Sequence, residues 1–183
     1  MMTRERRLLL IRLLALVLVV ILSVFIFSIR DRAEELTVYG YPGIFLISIL
    51  ANATVFLPAP GVALVFALGG VFPPFGVAVA AGTGAAIGEL SGYLAGFSGQ
   101  AIVENAERYQ RLTTWMEQNR TYAYIAVVVL AFIPNPFFDL AGIAAGTLKL
   151  PIIPFLFWVL IGKTLKMLVF AYAGASSFSW ILE

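Results

Sequence analysis

An all-α integral membrane protein, with an N-terminal transmembrane helix ahead of an inverted repeat of re-entrant helical hairpin and transmembrane span, is the fold class this sequence predicts. Three observations predict it. Hydrophobic residues make up 61% of the 183 and charged residues only 12%, with a mean hydropathy of +0.97, whereas soluble domains are nearer half apolar and a quarter charged. The charge is also segregated, so that residues 36–88 carry no ionised side chain. Finally, one proline-tipped element occurs twice, at Pro58-Ala59-Pro60 and at Pro134-Asn135-Pro136.

The first element is residues 1–35. Arg4, Arg6 and Arg7 precede an apolar run over 8–29, longer than the roughly 7 to 15 residues of a signal-peptide core and matching the roughly 20 that cross a bilayer. No Ala-x-Ala site follows, and Arg12 is near enough to the end to snorkel. The segment reads as a cytoplasmic tail and a retained anchor helix.

The second unit follows from length. Residues 36–88 as one helix would run about 80 Å at ~1.5 Å per residue, against a hydrocarbon core of about 30 Å, so the chain must turn back. Breakers at Gly40-Tyr41-Pro42-Gly43, Pro58-Ala59-Pro60-Gly61 and Pro73-Pro74 leave arms of only about 21 and 17 Å. Neither spans, and together they predict a re-entrant hairpin over 44–72, followed by a full span over 75–97. An irregular tip at that depth is tolerated only when buried in protein or facing a water-filled cavity.

Next, residues 100–120 place Ile102, Ala106, Tyr109, Leu112 or Thr113, and Met116 at helical spacing, with Trp115 nearby. This predicts an amphipathic helix lying on the headgroups. The pattern then repeats, as a hairpin over 122–149 with its tip at Pro134 and Pro136 and a span over 151–176. Aligning Pro58 and Pro60 with these prolines also superimposes Gly70 on Gly146. A hairpin returns to its starting face while a span crosses, so the second unit begins on the opposite side and the repeat is inverted, as in many secondary transporters. Arg4, Arg6, Arg7, Arg12, Arg108, Arg111, Arg120 and Lys149 then share one side, with Arg30 and Arg32 on the other. The positive-inside rule makes the first side cytoplasmic.

Composition also removes functions. A net charge of +2 offers no nucleic-acid-binding surface. With Cys 0 and His 0 there is no disulfide, thiolate or imidazole, nor the usual ligands of zinc, haem or iron-sulfur sites. No enzymatic activity, metal or cofactor is expected.

Few residues remain to carry chemistry. Gly84, Gly88, Gly92 and Gly96 recur every four residues on the first span, a spacing that lets helix backbones approach closely in lipid; they serve packing, or a seam along which rigid units slide. Glu89 lies near the middle of that span, where a charge costs on the order of 2.5 to 3.5 kcal/mol on insertion scales. It either pairs with Lys163 or Lys166 of the last span or lines a polar, proton-carrying path. If Asn135 is an N-cap with Pro136 at N1, Asp139 falls in the first turn of the second arm, where the helix dipole favours it, or where it serves as a proton or ion site. Lys163 and Lys166, three apart on one face, could contact a phosphate, as could the helix N-termini at the two hairpin tips.

These residues resemble the DedA/VTT superfamily, the SNARE-associated Golgi protein-like membrane proteins. The likeness covers about residues 39–174. Leu57-Pro58-Ala59-Pro60-Gly61, Gly69-Gly70, Gly88-Glu89, Gly92-Tyr93-Leu94-Ala95-Gly96, Phe132-Ile133-Pro134-Asn135-Pro136, Asp139-Leu140-Ala141-Gly142, Ala145-Gly146 and Gly162-Lys163 carry it, in that order. The resemblance implies two opposed re-entrant hairpins and movement of phospholipid or undecaprenyl phosphate between leaflets, with proton coupling proposed in the bacterial branch. The acidic residues usual on the first hairpin are absent, with Asn52 the nearest polar group, and Ala131 and Phe137 replace arginines bracketing the second tip. Glu89, Asp139, Lys163 and Lys166 are the candidates that remain.

The leading expectation is flipping or scrambling of an anionic phospholipid or polyprenyl phosphate, its headgroup crossing a cavity between the hairpin tips. Glu89, Asp139 and Asn135 would gate that path, and Lys163 and Lys166 would hold the headgroup. The partners are membrane lipids, with possible proton coupling, in a prokaryotic plasma membrane with a cytoplasmic N-terminus. A proton- or ion-coupled carrier of a small solute, or a non-transporting scaffold, would use the same architecture.

Overall fold

The computed structural model describes residues 39–53, 61–103, 107–134 and 140–182, with helical positions at Leu10, Leu13, Leu14, Val17 and Ile21. The remainder of the expected anchor helix lies outside the described residues. All the regular elements described are helical.

The chain enters helix α1 (Tyr41–Asn52) through Gly40, whose φ of +66° favours glycine. Pro42 sits in the first turn, where its missing N–H costs nothing. Helix α2 (Gly61–Gly69) brings the chain back. A Cβ on Gly61 would lie 3.3 Å from that of Ala51, while the rings of Tyr41 and Phe72 are 6.0 Å apart. Both ends of the pair therefore meet.

Helix α3 (Pro74–Val103) and helix α7 (Ile152–Leu182) are the two helices long and apolar enough to cross a membrane among the described residues. They run antiparallel, since Gly82 faces Thr164, Glu89 meets Lys163 and the ring of Tyr93 lies 5.3 Å from that of Phe155. α3 runs to Val103 rather than ending near 97, because nothing from Ser98 to Val103 breaks a helix except Gly99, which a helix tolerates for about 1 kcal/mol.

Helix α4 (Glu107–Gln118) is the shorter observed form of the amphipathic segment expected over 100–120. Its Leu112 and Trp115 are exposed, and Met116 packs inward. Helix α5 (Arg120–Phe132) ends where Pro134 drives Ile133 into an extended conformation. Helix α6 (Leu140–Thr147) then leads to α7.

The core divides in two. One apolar cluster joins α1, α2, α3 and α7 through Ile44, Val65, Leu68, Val77, Ala81, Met167 and Ala171. The other joins α3, α5, α6 and α7 through Ala86, Val127, Ala131, Ala145, Phe155 and Val159. Alanine dominates both, so the helices approach closely, as expected where lipid removes the hydrophobic drive and packing supplies the attraction. Ile153, Phe157, Leu165, Val169 and Tyr172 leave the other face of α7 exposed and apolar.

The two halves of the chain interlock. α1 packs on α3 and α5 on α7, but α2 packs on α7 and α6 on α3. Gly69 faces the backbone of Ala171 as Gly146 faces that of Tyr93, and Gly174 faces Phe66 as Gly96 faces Ile143. Each pair is the counterpart of the other with the halves exchanged. Gly69 thus makes in the first half the close backbone contact that Gly146 makes in the second.

α6 closes with Leu150 N–H donating to the Ala145 carbonyl and Lys149 N–H to that of Gly146, at 3.0 and 3.3 Å. This Schellman ending places Lys149 at a φ of +55°, where glycine is the usual residue. Lys149→Gly is expected to raise stability by about 1 kcal/mol, read as a higher unfolding midpoint in detergent.

Candidate functional site

A charged cluster is sealed between the two apolar clusters. On α7, Lys163 and Lys166 lie between Val159 of one cluster and Met167 of the other, and both are buried, as is Glu89 of α3. The Lys163 ammonium is 2.7 Å from Glu89 Oε2, with both side chains fully inaccessible. Lys166, one helical turn on, lies within electrostatic reach of Glu89 and Lys163.

Two further elements reach this pair. The Gly142 backbone N–H donates to Glu89 Oε1 at 2.7 Å. It belongs to α6, so a backbone amide supplies one of the two groups that face the carboxylate. Lys163 Nζ also donates to Asn52 Oδ1 at 3.0 Å. Asn52 is held in turn by its own Nδ2, which donates to the Ser48 carbonyl at 2.9 Å. One carboxylate and one ammonium therefore tie together α1, α3, α6 and α7. Desolvating two charges is costly, and only good geometry with added hydrogen bonds offsets it; the α6 N–H and the Asn52 oxygen provide those bonds.

Glycine makes the approach possible. A Cβ on Gly142 would fall 2.7 Å from both the Glu89 carbonyl oxygen and Oε1. Of the predicted stripe, Gly84 and Gly88 face α1, at Phe45, Ser48, Ile49 and Asn52, whereas Gly92 and Gly96 face α6. Steps of four residues drift by about 40° around a helix, so one stripe serves two partners. Below the site, Tyr93 Oη donates to the Leu150 carbonyl at 2.7 Å. The C-terminus of α6 is fixed by Tyr109 Oη on the Thr147 carbonyl at 2.8 Å and by Thr147 Oγ1 on the Gly96 carbonyl at 3.2 Å.

The structure thus brings Glu89, Lys163 and Lys166 into one cluster. Pro134 is exposed; Asn135, Pro136, Asp139, Pro58 and Pro60 lie outside the described residues. Sequence reasoning did not assign Asn52 or the Gly142 N–H to the site. Asn52 had a signal, as a polar residue in an arm without charge; a backbone N–H has none.

Two helices long and apolar enough to span, with exposed apolar faces, are features of a helical membrane protein. The chain belongs to the VTT-domain family, whose VTT domain matches residues 59–176. It is similar to two vacuole membrane proteins of Arabidopsis thaliana. KMS2 is 33% identical over 100 residues, 46% of this chain and 24% of the relative. KMS1 is 32% identical over 97 residues, 52% of this chain and 23% of the relative. The chain thus spans about a quarter of the length of these curated relatives. No solved structure matches.

Proposed function

We propose that this protein moves an anionic phospholipid or polyprenyl phosphate between leaflets, the headgroup crossing at the Glu89–Lys163 cluster while the acyl chains stay in lipid. The observation that carries the reading is the joining of four helices by one buried ion pair, because charges are retained inside a membrane protein mainly where they line a pathway or pair across one. Membership in the VTT family supports it.

In this reading α1 with α2, and α5 with α6, are re-entrant hairpins entering from opposite faces. Their 12, 9, 13 and 8 described residues are each fewer than the roughly 20 that a crossing needs, and the exchanged glycine contacts agree with an inverted repeat. The N-terminus and α4 are cytoplasmic, and the membrane is a prokaryotic plasma membrane. Lys163, paired in this closed arrangement, meets a headgroup only after Glu89 releases it.

Purified protein reconstituted into liposomes with fluorescent lipids is expected to accelerate transbilayer exchange of an anionic lipid, and Glu89→Gln or Lys163→Met is expected to change the rate at least tenfold. Exchange no faster than in empty liposomes for every anionic lipid tried would refute the reading. Solute flux driven by a pH gradient without lipid movement would replace it with a proton-coupled carrier.

A further inference from the structure

We infer that the Glu89 carboxylate is a built-in stand-in for a phosphate: it fills an oxyanion site made by Lys163 Nζ and the backbone N–H of Gly142 in α6, and a lipid phosphate occupies that site by displacing it. The inference rests on the transport reading above and adds how the site is kept closed.

The contacts of the carboxylate are those an oxyanion requires. One oxygen accepts from Gly142 N–H at 2.7 Å, the other lies 2.7 Å from the Lys163 ammonium, and both donors are of the kind that hold phosphate in proteins, a backbone N–H and a lysine. Lys166 adds positive charge on the same face of α7. The donors come from α6 and α7 whereas Glu89 comes from α3, so the site can lose its occupant without losing its parts.

Two details keep the site standing when Glu89 leaves. Lys163 has a second, neutral acceptor in Asn52 Oδ1 at 3.0 Å, itself anchored on Ser48, which holds the ammonium in place. Room around the oxyanion is provided by glycine on both sides: a Cβ on Gly92 would stand 3.5 Å from Glu89 Oε1, and one on Gly142 would stand 2.7 Å from it. A side chain at Gly142 would shut the site, and that position has none.

The test compares wild-type protein, Glu89→Gln and Glu89→Gln/Lys163→Met, all full-length in detergent. Each is titrated with dioctanoyl phosphatidic acid, with inorganic phosphate and with dioctanoylglycerol, and binding is read from the ligand-induced rise in unfolding midpoint. Glu89→Gln is expected to bind the phosphatidic acid at least tenfold more tightly than wild type, with the gain lost in the double variant. A gain with inorganic phosphate as well assigns the site to free and lipid-borne phosphate alike; a gain with phosphatidic acid alone assigns it to the headgroup. No gain with either, an equal gain with the uncharged diacylglycerol, or a gain that survives loss of Lys163 overturns the proposal. Should Glu89→Gln not fold, Glu89→Asp withdraws the carboxylate by one methylene and is expected to show a smaller gain, its absence again overturning the proposal. Tighter binding without lipid movement in liposomes would sink the transport reading and leave this site; lipid movement without tighter binding would do the reverse.

Discussion

Replacing Lys163 with methionine is expected to destabilise the protein by about 3 to 5 kcal/mol, because the substitution leaves the Glu89 carboxylate buried with its charge uncompensated. The loss extends beyond the pair. The part-buried Asn52 Oδ1 also loses its donor. The companion result is the more informative one. Glu89→Leu combined with Lys163→Met removes both charges at near-constant volume, and is expected to restore most of the lost stability, since exchanging a whole buried ion pair for apolar groups is often neutral or favourable. Unfolding by sodium dodecyl sulfate in mixed micelles, followed by far-ultraviolet circular dichroism, reads both. A single variant as stable as wild type would mean that the pair is not ionised or not buried. A stable double variant that moves no lipid would assign the charges to transport rather than to folding.

The second large effect concerns glycine. Gly146→Ala and Gly174→Ala are each expected to cost about 3 kcal/mol, the upper end of the range for overpacking, and to loosen α6 from α3 or α2 from α7. In both, the added methyl meets backbone, 2.8 Å from a carbonyl carbon of Tyr93 or Phe66 with the oxygen nearer still, and backbone cannot rotate away as a side chain can. Gly99→Ala is the matched control. Nothing lies within 4 Å of its Cβ position, so the better helix propensity of alanine is expected to raise stability by about 0.5 to 1 kcal/mol. Gly92 belongs between them, its nearest neighbours being at 3.5 to 3.6 Å, an ordinary contact. The same unfolding assay checks the order, and a Gly146→Ala protein as stable as Gly99→Ala would contradict the close approach of α6 to α3.

Much of this architecture is legible in the sequence because it depends on length and on breakers. Arms too short to span and two long apolar runs can be read from prolines and glycines without any tertiary knowledge. Glu89 stands out for a similar reason, being a lone carboxylate in a long apolar run. Its partners do not stand out in the same way. Lys163 and Lys166 are equivalent by spacing, and only the antiparallel pairing of α3 with α7 sets Lys163 against the carboxylate. Asn52 resembles an ordinary polar residue in an apolar arm until α1 is seen running alongside α3, which carries it to Lys163. Nor can periodicity say which span a second arm will choose: it reports that α2 and α6 each have a face for packing, not that each packs on the other half's long helix. The glycine stripe is an intermediate case. Its drift around α3 is arithmetic, but that the drift carries it from α1 to α6 depends on where those helices lie.

The exchange of arms between halves has a mechanical consequence. Two halves swinging as solid bodies about a hinge would have to strip α2 from α7 and α6 from α3 at once, along contacts where backbone meets backbone. The frame of α3 and α7 behaves instead like a pair of clasped hands, each half gripping the other. In the transport reading proposed above, a stroke that keeps these contacts is small and local: it turns on whether α6 keeps hold of Glu89, and the long helices serve as a fixed rail.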